Sequence, residues 1–368
     1  MLPHLTAHSP GIGGTIKARP GDFFVQELSD TEATGDGEHV LFEVRKVGIT
    51  TDEAVRRIAL ALKLDPRNIG TAGRKDKHAV TQQHMTALGV RDHQVMALQA
   101  EDLHVLWAAH HRKKLHAGHL SGNRFAVIVR NANPTDVVKL RPMLNELTAR
   151  GMPNYFGPQR FGKHGDNAER GFDLLRAGEK TIRRTPKSKR DMLISAAQSA
   201  VFNAVVAERI NAGIFDQLIP GDVAKKTDTG GCFVVEDVAA EQPRCTAFEI
   251  SPAGPLPGPK LLAAKADAAE LERKVLAEFD VKPEDFAVAG RSFPGERRAI
   301  RVRPEQTELA AGTDAYGPHI TVAFNLPKGS YATTLMRELM KVENMEQRDD
   351  RPPIEGLTPK VGVPADKV

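Results

Sequence analysis

The sequence has 368 residues, is poor in cysteine and contains no long apolar run, and each of these absences excludes a class of protein. Its only two cysteines, Cys232 and Cys245, argue against a disulfide scaffold and for a reducing compartment, although a single bridge is left open. No run of about 18 apolar residues occurs, so we expect no membrane span. The opening residues MLPHLTAHSPG lack a basic segment followed by an apolar one, which argues against a signal peptide. We therefore expect a cytoplasmic protein.

Several common catalytic motifs are also missing. The early run GIGG does not form G-x-G-x-x-G and follows no predicted strand, so it is not a dinucleotide-binding loop. G-x-S-x-G, Walker and C-x-x-C motifs are absent. The densest histidine group, around His116 and His119, has no neighbouring cysteine or carboxylate and matches no metal motif. We expect no metal and no cofactor; a catalytic cysteine is left open, but neither thiol has cationic surroundings.

What the sequence does have is a mild excess of positive charge, gathered in two clusters. The net charge is +4 and the isoelectric point is near 9.0. Dense Lys and Arg clusters commonly neutralise phosphates, and the alternative for each is a solvated surface. The clusters HHRKK (110–114) and RRTPKSKR (183–190) supply the candidate RNA-binding residues Arg112, Lys113, Lys114, Arg183, Arg184, Lys187 and Lys189.

Hydrophobic periodicity predicts a mixture of strands and helices. Strands are expected at 15–19, 23–25, 39–47, 84–90, 105–109, 122–131 and 319–325, with short β runs between 219 and 250. Helices are expected at 51–64, 134–150, 191–210, 267–279 and 330–340, the first capped by Thr50 or Thr51. The chain is long enough for two domains of ordinary size. The pattern predicts an α+β (mixed α/β) fold.

The most informative stretch is GTAGRKDKHAVTQQ, which runs from Gly70 to Gln83. It holds one carboxylate, Asp76, between Lys75 and Lys77. An aspartate among cations is ionised at neutral pH, so it is better suited to act as a nucleophile or base than as a proton donor. The alternative is a solvated charged loop.

This stretch resembles the signature A-G-x-K-D-x-x-A-x-T-x-Q of the tRNA pseudouridine synthase D (TruD) family. The matching positions are Ala72, Gly73, Lys75, Asp76, Ala79, Thr81 and Gln83. Three further blocks are similar to the family in the same order: DFFVQE (Asp22–Glu27), NYFGPQRFG (Asn154–Gly162) and LPKGSYATTLMREL (Leu326–Leu339). The resemblance therefore spans most of the chain.

The resemblance implies a discontinuous architecture. A pseudouridine-synthase catalytic domain with a central, mostly antiparallel sheet would take residues 1–151 and 305–345. An inserted α/β domain, called TRUD, would take residues 152–304 and have a core of its own. The polar, proline-rich residues 346–368 would form a flexible tail.

The resemblance also implies an activity. The chain would be an isomerase, more narrowly an intramolecular transferase, that converts a uridine of tRNA at position 13 in the D-arm to pseudouridine. Asp76 would be the catalytic carboxylate, and three roles stay open for it: attack on the base, attack on the ribose, or removal of a ribose proton. The reaction needs no cofactor. The expected partner is tRNA, and we expect a monomer.

The resemblance also implies a uridine pocket of three aromatic rings and an amide. Its residues are Phe23, Asn123, Phe125 and Phe324, with Tyr331 as the alternative to Phe324. Asn123 and Phe125 lie two apart on a predicted strand, so their side chains share a face. A ring that stacks beside an amide that hydrogen-bonds suits base recognition, whereas the alternative is a core phenylalanine with a turn asparagine.

Two lysines are candidate partners of Asp76 at the substrate site. Lys17 precedes the DFFVQE block and resembles a family lysine placed near the acid, so we rank it first. Lys75 is adjacent to Asp76 in sequence, but neighbouring side chains can point apart.

A function from a different class is a non-catalytic RNA-binding protein, such as an RNA chaperone, that has kept the same fold. Loss of the carboxylate would indicate it. Asp76 is present, which favours the enzyme.

Overall fold

The structure is a computed structural model that describes residues 2–347, with the side chains of 288–292 left out. In this part of the chain the strands are β1 (Phe23–Leu28), β2 (His39–Val47), β3 (Ile69–Thr71), β4 (Val80–Leu88), β5 (Gln99–Ala100), β6 (Leu103–His111), β7 (Gly122–Val129), β8 (Met152–Pro153), β9 (Val223–Lys226), β10 (Cys232–Val234), β11 (Ile250–Leu256), β12 (Glu296–Ala299), β13 (Arg301–Val302), β14 (Glu305–Asp314) and β15 (Gly317–Pro327). The helices are α1 (Thr51–Leu62), α2 (Asp92–Met96), α3 (Val137–Arg150), α4 (Asn167–Arg176), α5 (Gly178–Arg184), α6 (Lys187–Asn211), α7 (Val238–Thr246), α8 (Ala266–Glu278) and α9 (Ala332–Met340). None of these helices is long and apolar enough to cross a membrane.

The described chain divides into two compact units. Unit 1 comprises residues 2–10, Asn145–Arg303 and Ser330–Glu338. Unit 2 comprises Gly11–Leu144, Pro304–Gly329 and the described residues from Leu339 onward. The expected domain limits, 1–151 with 305–345 and 152–304, stay a prediction. Most of the expected tail lies outside the described residues, which include only 346 and 347 of it.

Unit 2 is built on one large sheet. Its strand order is β14-β15-β7-β1-β4-β2-β6-β5, and β3 pairs with β4. Every neighbouring pair is antiparallel except β1 and β4, in which Phe24 lies opposite Val80 in parallel register. The mixed α/β class and the mostly antiparallel sheet are therefore confirmed. The parallel pair brings the start of β4, directly after the Asp76 loop, beside the start of β1.

Alternation of side chains explains how β2 packs. Val40, Phe42 and Val44 all point to one face and are fully buried. Helix α1 covers that face with Ile58, among other residues. The helix begins as expected, because the Thr50 hydroxyl accepts a hydrogen bond from the backbone N–H of Glu53.

Unit 1 centres on the long helix α6. Its buried stripe, which includes Ala197, Val201 and Val205, packs in one core with Phe172 of α4. A four-stranded sheet in the order β10-β9-β11-β12 lies in the same unit. Both cysteines are free thiols, so the disulfide bridge that the sequence left open does not form.

Three local differences from expectation have physical causes. The expected strand at 15–19 is wrong: Thr15 and Ile16 form isolated bridges, and Lys17 then turns into the left-handed region at φ 56°. Helix α7 was not expected, and its sequence contains Pro243. Strand β14 was missed because its mostly exposed residues, EQTELAAGTD, carry little apolar signal.

The close approach of β7 and β15 next to Asn123 gives a test of the sheet. A Cβ built on Gly122 would lie 2.4 Å from the carbonyl oxygen of Leu326. We expect Gly122→Ala to force the strands apart and to lower the free energy of unfolding by about 1–3 kcal/mol, measured in denaturant. The control is Gly231→Ala, whose Cβ would meet Thr229 Oγ1 at an ordinary 3.5 Å. Equal stability of the two variants would contradict the expectation.

Candidate active site

The loop that carries Asp76 connects β3 to β4 and is held by side chains from α1 and β4. The backbone N–H of Lys75 donates to the hydroxyl of Thr51 at 2.9 Å. That hydroxyl donates in turn to Gln83 Oε1 at 3.0 Å, and Gln83 Nε2 donates to the carbonyl of Gly73 at 3.4 Å. The glutamine of the signature therefore braces the loop that precedes it.

A buried lysine, Lys46, hydrogen-bonds to the main chain of the loop. Lys46 is fully buried, and its ammonium donates to the carbonyls of Ile49 at 2.7 Å and Asp76 at 3.2 Å. Burial lowers the pKa of Lys46 to about 8, against the opposing effect of the nearby Asp76 carboxylate, while the charge of Lys75 lowers the pKa further. Lys46 thus fixes the main chain at Asp76.

Of the two lysines expected beside Asp76, it is Lys17 that contacts it. Lys17 Nζ lies 3.5 Å from Asp76 Oδ2, 2.9 Å from Glu346 Oε1 and 4.5 Å from the centre of the Phe23 ring. The Lys17 side chain is 6% exposed, whereas those of Asp76 and Glu346 are 42% and 44% exposed. One sheltered cation therefore serves two carboxylates that face solvent.

Lys75 contacts Glu27 and Asn123 instead of Asp76. Its Nζ lies 2.8 Å from Glu27 Oε2 and donates to Asn123 Oδ1 at 2.8 Å. Burial acts to raise the pKa of Glu27, but the hydrogen bond from His84 and the charge of Lys75 outweigh it, so this pKa lies below its usual value. Glu27 and Asn123 face each other across β1 and β7. The ion pair joins the loop to both strands.

The three aromatic residues expected at the site lie together. Phe125 and Phe324 are in register on β7 and β15, and their rings stack with centres 5.5 Å apart. Phe23 meets Phe125 edge to face at 6.1 Å. All three are buried. Tyr331, the alternative to Phe324, lies in unit 1 against Phe156, so the geometry favours Phe324.

Most of the cations in the two basic clusters are exposed, and several of them already have partners. Exposed ion pairs join Arg112 to Asp36, Arg183 to Glu179 and Lys187 to Asp191. The ammonium of Lys114 donates to a backbone carbonyl. Arg184, Lys189 and Lys113 are exposed as well. RNA binding by these residues stays a prediction.

Three residues at the site were not found from the sequence. Glu27 shares the face of Phe23 by strand alternation, and Lys46 continues the buried face of Phe42 and Val44; a charge on an apolar face was the available signal in both cases. Glu346 carried no such signal, because its partner Lys17 lies more than 300 residues earlier.

Comparison with known proteins finds one family along most of the chain. The family model for tRNA pseudouridine synthase D (TruD) matches residues 2–178 and 174–339. A tRNA pseudouridine synthase D of an Anaeromyxobacter species is 43% identical over 92% of this chain and 96% of its own length. The protein of the same name from Thermus thermophilus is 39% identical over 95% of both chains. A crystal structure assigned as TruD from Methanosarcina mazei superimposes with a TM-score of 0.76 at 26% identity, covering 92% of this chain and 96% of that one.

The mixed sheet and the Asp76 loop, taken with these matches, define a pseudouridine-synthase type of protein. Within that class, the chain belongs to the tRNA pseudouridine synthase D (TruD) family.

The support that Lys46 gives to the loop can be tested through the pH dependence of stability. The pKa of Lys46 is about 8 in the folded chain and 10.5 ordinarily, so between these values the unfolded chain binds more protons than the folded one. Lys46 therefore makes wild-type stability rise with pH across this window. In Lys46→Met this contribution is absent, so the wild type should gain stability relative to the variant between pH 8 and 10.5. A constant difference in unfolding free energy would contradict this.

Proposed function

We propose that this chain isomerises a uridine of tRNA to pseudouridine and that Asp76 is the carboxylate that acts on the nucleoside. The observation that carries the proposal is the setting of Asp76: a solvent-facing carboxylate on a braced loop, 3.5 Å from the sheltered ammonium of Lys17. The names of the relatives support the reaction and the tRNA substrate. The target position that we propose, 13 in the D-arm, follows from the family resemblance.

The main catalytic group that pseudouridine formation requires is such a carboxylate. The bond from ribose C1′ to uracil N1 breaks, the base turns, and a bond from C1′ to C5 forms. C5 then loses its proton and N1 gains one, so there is no net gain or loss of atoms. Attack on the base, attack on the ribose and removal of a ribose proton each need an ionised carboxylate. Lys17 places a positive charge 3.5 Å from the Asp76 carboxylate. We propose that the enzyme acts as a monomer without a cofactor.

The cluster of Phe23, Phe125 and Phe324 would hold the detached uracil. The three rings cover one another, and Phe125 is the most exposed of them at 7%, so we expect the base to lie against the Phe125 ring and not between the rings. Aromatic contact keeps a planar base in place without fixing its rotation, which the reaction requires. Asn123 lies two residues before Phe125 on β7, so its side chain is on the same face. Its amide would make the polar contact to the uracil.

Docking of tRNA would rest on phosphate contacts. A uridine in a folded tRNA must leave its stack to reach Asp76, at a cost of a few kcal/mol. Contacts from the two basic clusters would offset that cost. Their present ion pairs are exposed, so each is worth about 0–1 kcal/mol and can be exchanged for a phosphate contact. A tRNA substrate also fits the cytoplasmic location expected from the sequence.

Replacement of Asp76 by Asn tests the proposal directly. The change keeps the size and most hydrogen bonding but removes the charge, so we expect pseudouridine formation in a tRNA transcript to fall at least about 1,000-fold. Affinity for tRNA should persist. Mapping of the product in the transcript also tests position 13.

The matched control is Asp173→Asn, an exposed aspartate of α4 paired with Arg176. It should turn over at the wild-type rate. Near-normal turnover by Asp76→Asn would remove Asp76 from the mechanism. Absence of turnover in the wild type, with tRNA still bound, would favour the non-catalytic RNA-binding protein.

The basic cluster that spans the end of α5 and the start of α6 gives a second test. We expect replacement of Arg183, Arg184, Lys187 and Lys189 by Ser to reduce the slope of log affinity against log salt by roughly 0.7–0.9 for each phosphate that the variant no longer binds. The measurement is tRNA affinity from low to moderate salt. Turnover at saturating tRNA should be kept.

Its control removes four scattered exposed cations with the same change in net charge: Arg56, Arg91, Lys260 and Lys282, all to Ser. This variant should keep a slope near that of the wild type. Equal slopes in all three proteins would show that the cluster is only a solvated surface.

A further inference from the structure

Three residues, Glu27, Lys75 and Asn123, form a connected row beside the aromatic cluster. The proposed reaction does not by itself account for this row. The Glu27 side chain is fully buried and that of Lys75 is 5% exposed. The Lys75 ammonium lies 2.8 Å from both the Glu27 carboxylate and the Asn123 amide oxygen. A buried charge pair of this kind is held in one arrangement, because removal of either partner leaves an uncompensated charge.

The row fixes which way the Asn123 amide faces. An ammonium group can only donate hydrogen bonds, so the amide atom beside Lys75 must be the oxygen. The NH₂ group is then turned away from Lys75. Among the described residues this Nδ2 has no hydrogen-bond partner, and Asn123 is half-buried on the same face of β7 as Phe125. Asn123 therefore offers a donor beside the aromatic cluster.

A fixed donor selects the atom that it can bind. Uracil has a carbonyl oxygen at C2 and another at C4, one on each side of N3. Cytosine has an amino group at C4, which would oppose the amide NH₂ donor to donor. The turn that exchanges N1 for C5 also exchanges the C2 and C4 carbonyls. A single donor therefore meets an oxygen before and after the base turns.

We propose that Glu27 and Lys75 are positioning residues that hold the Asn123 amide with its NH₂ toward the uracil, where it donates to one carbonyl of the substrate and to the other carbonyl of the product. The inference rests on the proposed pseudouridine synthesis. Glu27 carries out this role without touching the nucleoside. It compensates the charge of Lys75, and Lys75 in turn engages the amide oxygen.

A double-mutant cycle tests the coupling in the full chain. Glu27→Gln in the wild type should lower kcat roughly 10- to 100-fold, the effect of one charge-assisted hydrogen bond, with KM for tRNA nearly unchanged. In an Asn123→Ala background the same change should cost less than about threefold, because the amide it orients is gone. A merely structural role would give equal losses in both backgrounds, which would overturn the proposal.

Asn123→Asp separates donation from folding. Aspartate has nearly the same shape and keeps a partner for Lys75, but it has no N–H to donate. The new carboxylate would share the Lys75 ammonium with Glu27, so we expect a folded protein of reduced stability and a loss of kcat as large as that of Asn123→Ala. Wild-type turnover by Asn123→Asp would overturn the proposal even if Glu27→Gln proved too unstable to assay.

Two altered tRNA substrates test whether the Asn123 NH₂ donates to both uracil carbonyls, one before and one after the base turns. Sulfur accepts hydrogen bonds poorly, so 2-thiouridine and 4-thiouridine at the target should both slow conversion by the wild type, and neither should slow Asn123→Ala further. Sensitivity to neither analogue, or to only one, would overturn the two-carbonyl contact. Failure of the proposed function would look different, because wild-type protein would then form no pseudouridine from the unmodified transcript.

Discussion

Two ammonium groups buried beneath one loop constrain the whole site. Lys46 and Lys75 are both sheltered from water, and an unpaired buried charge costs several kcal/mol. Lys46 meets this demand with main-chain carbonyls, one of them from Asp76. Lys75 meets it with Glu27 of β1 and Asn123 of β7. The loop can therefore take only the path on which both cations find their acceptors.

The three lysines, Lys17, Lys46 and Lys75, therefore have different roles. Lys46 and Lys75 act on structure, since one holds the main chain of the loop and the other connects it to two strands of the sheet. Lys17 is as sheltered as Lys75, but its ammonium is shared between Asp76 and Glu346, two carboxylates that face solvent. Its left-handed backbone, which is unfavourable for a residue with a side chain, directs the ammonium toward them. The Asp76 carboxylate thus stays accessible to solvent, while the lysines that support its loop are buried.

How far the sequence predicts this arrangement depends on how local each signal is. Strand β2 and helix α1 followed from alternation and from a capping threonine, because both patterns lie within a dozen residues. The Asp76 loop followed from its matched signature. Glu27 was missed because the expected strand ended at residue 25, whereas β1 continues to Leu28 and places Glu27 on the buried face of Phe23. Glu346 could not be predicted, because its pairing with Lys17 joins the two ends of the chain.

The wide spacing of the site residues also bears on how the protein is made. Phe324, the last ring of the aromatic cluster, follows Asp76 by about 250 residues. At about 5–20 residues per second, translation separates their emergence from the ribosome by roughly 10–50 s. During that interval the nascent chain carries the loop but not the complete aromatic cluster, at a place where tRNA is abundant. The aromatic cluster that we propose for uracil binding is thus complete only after most of the chain has been synthesised.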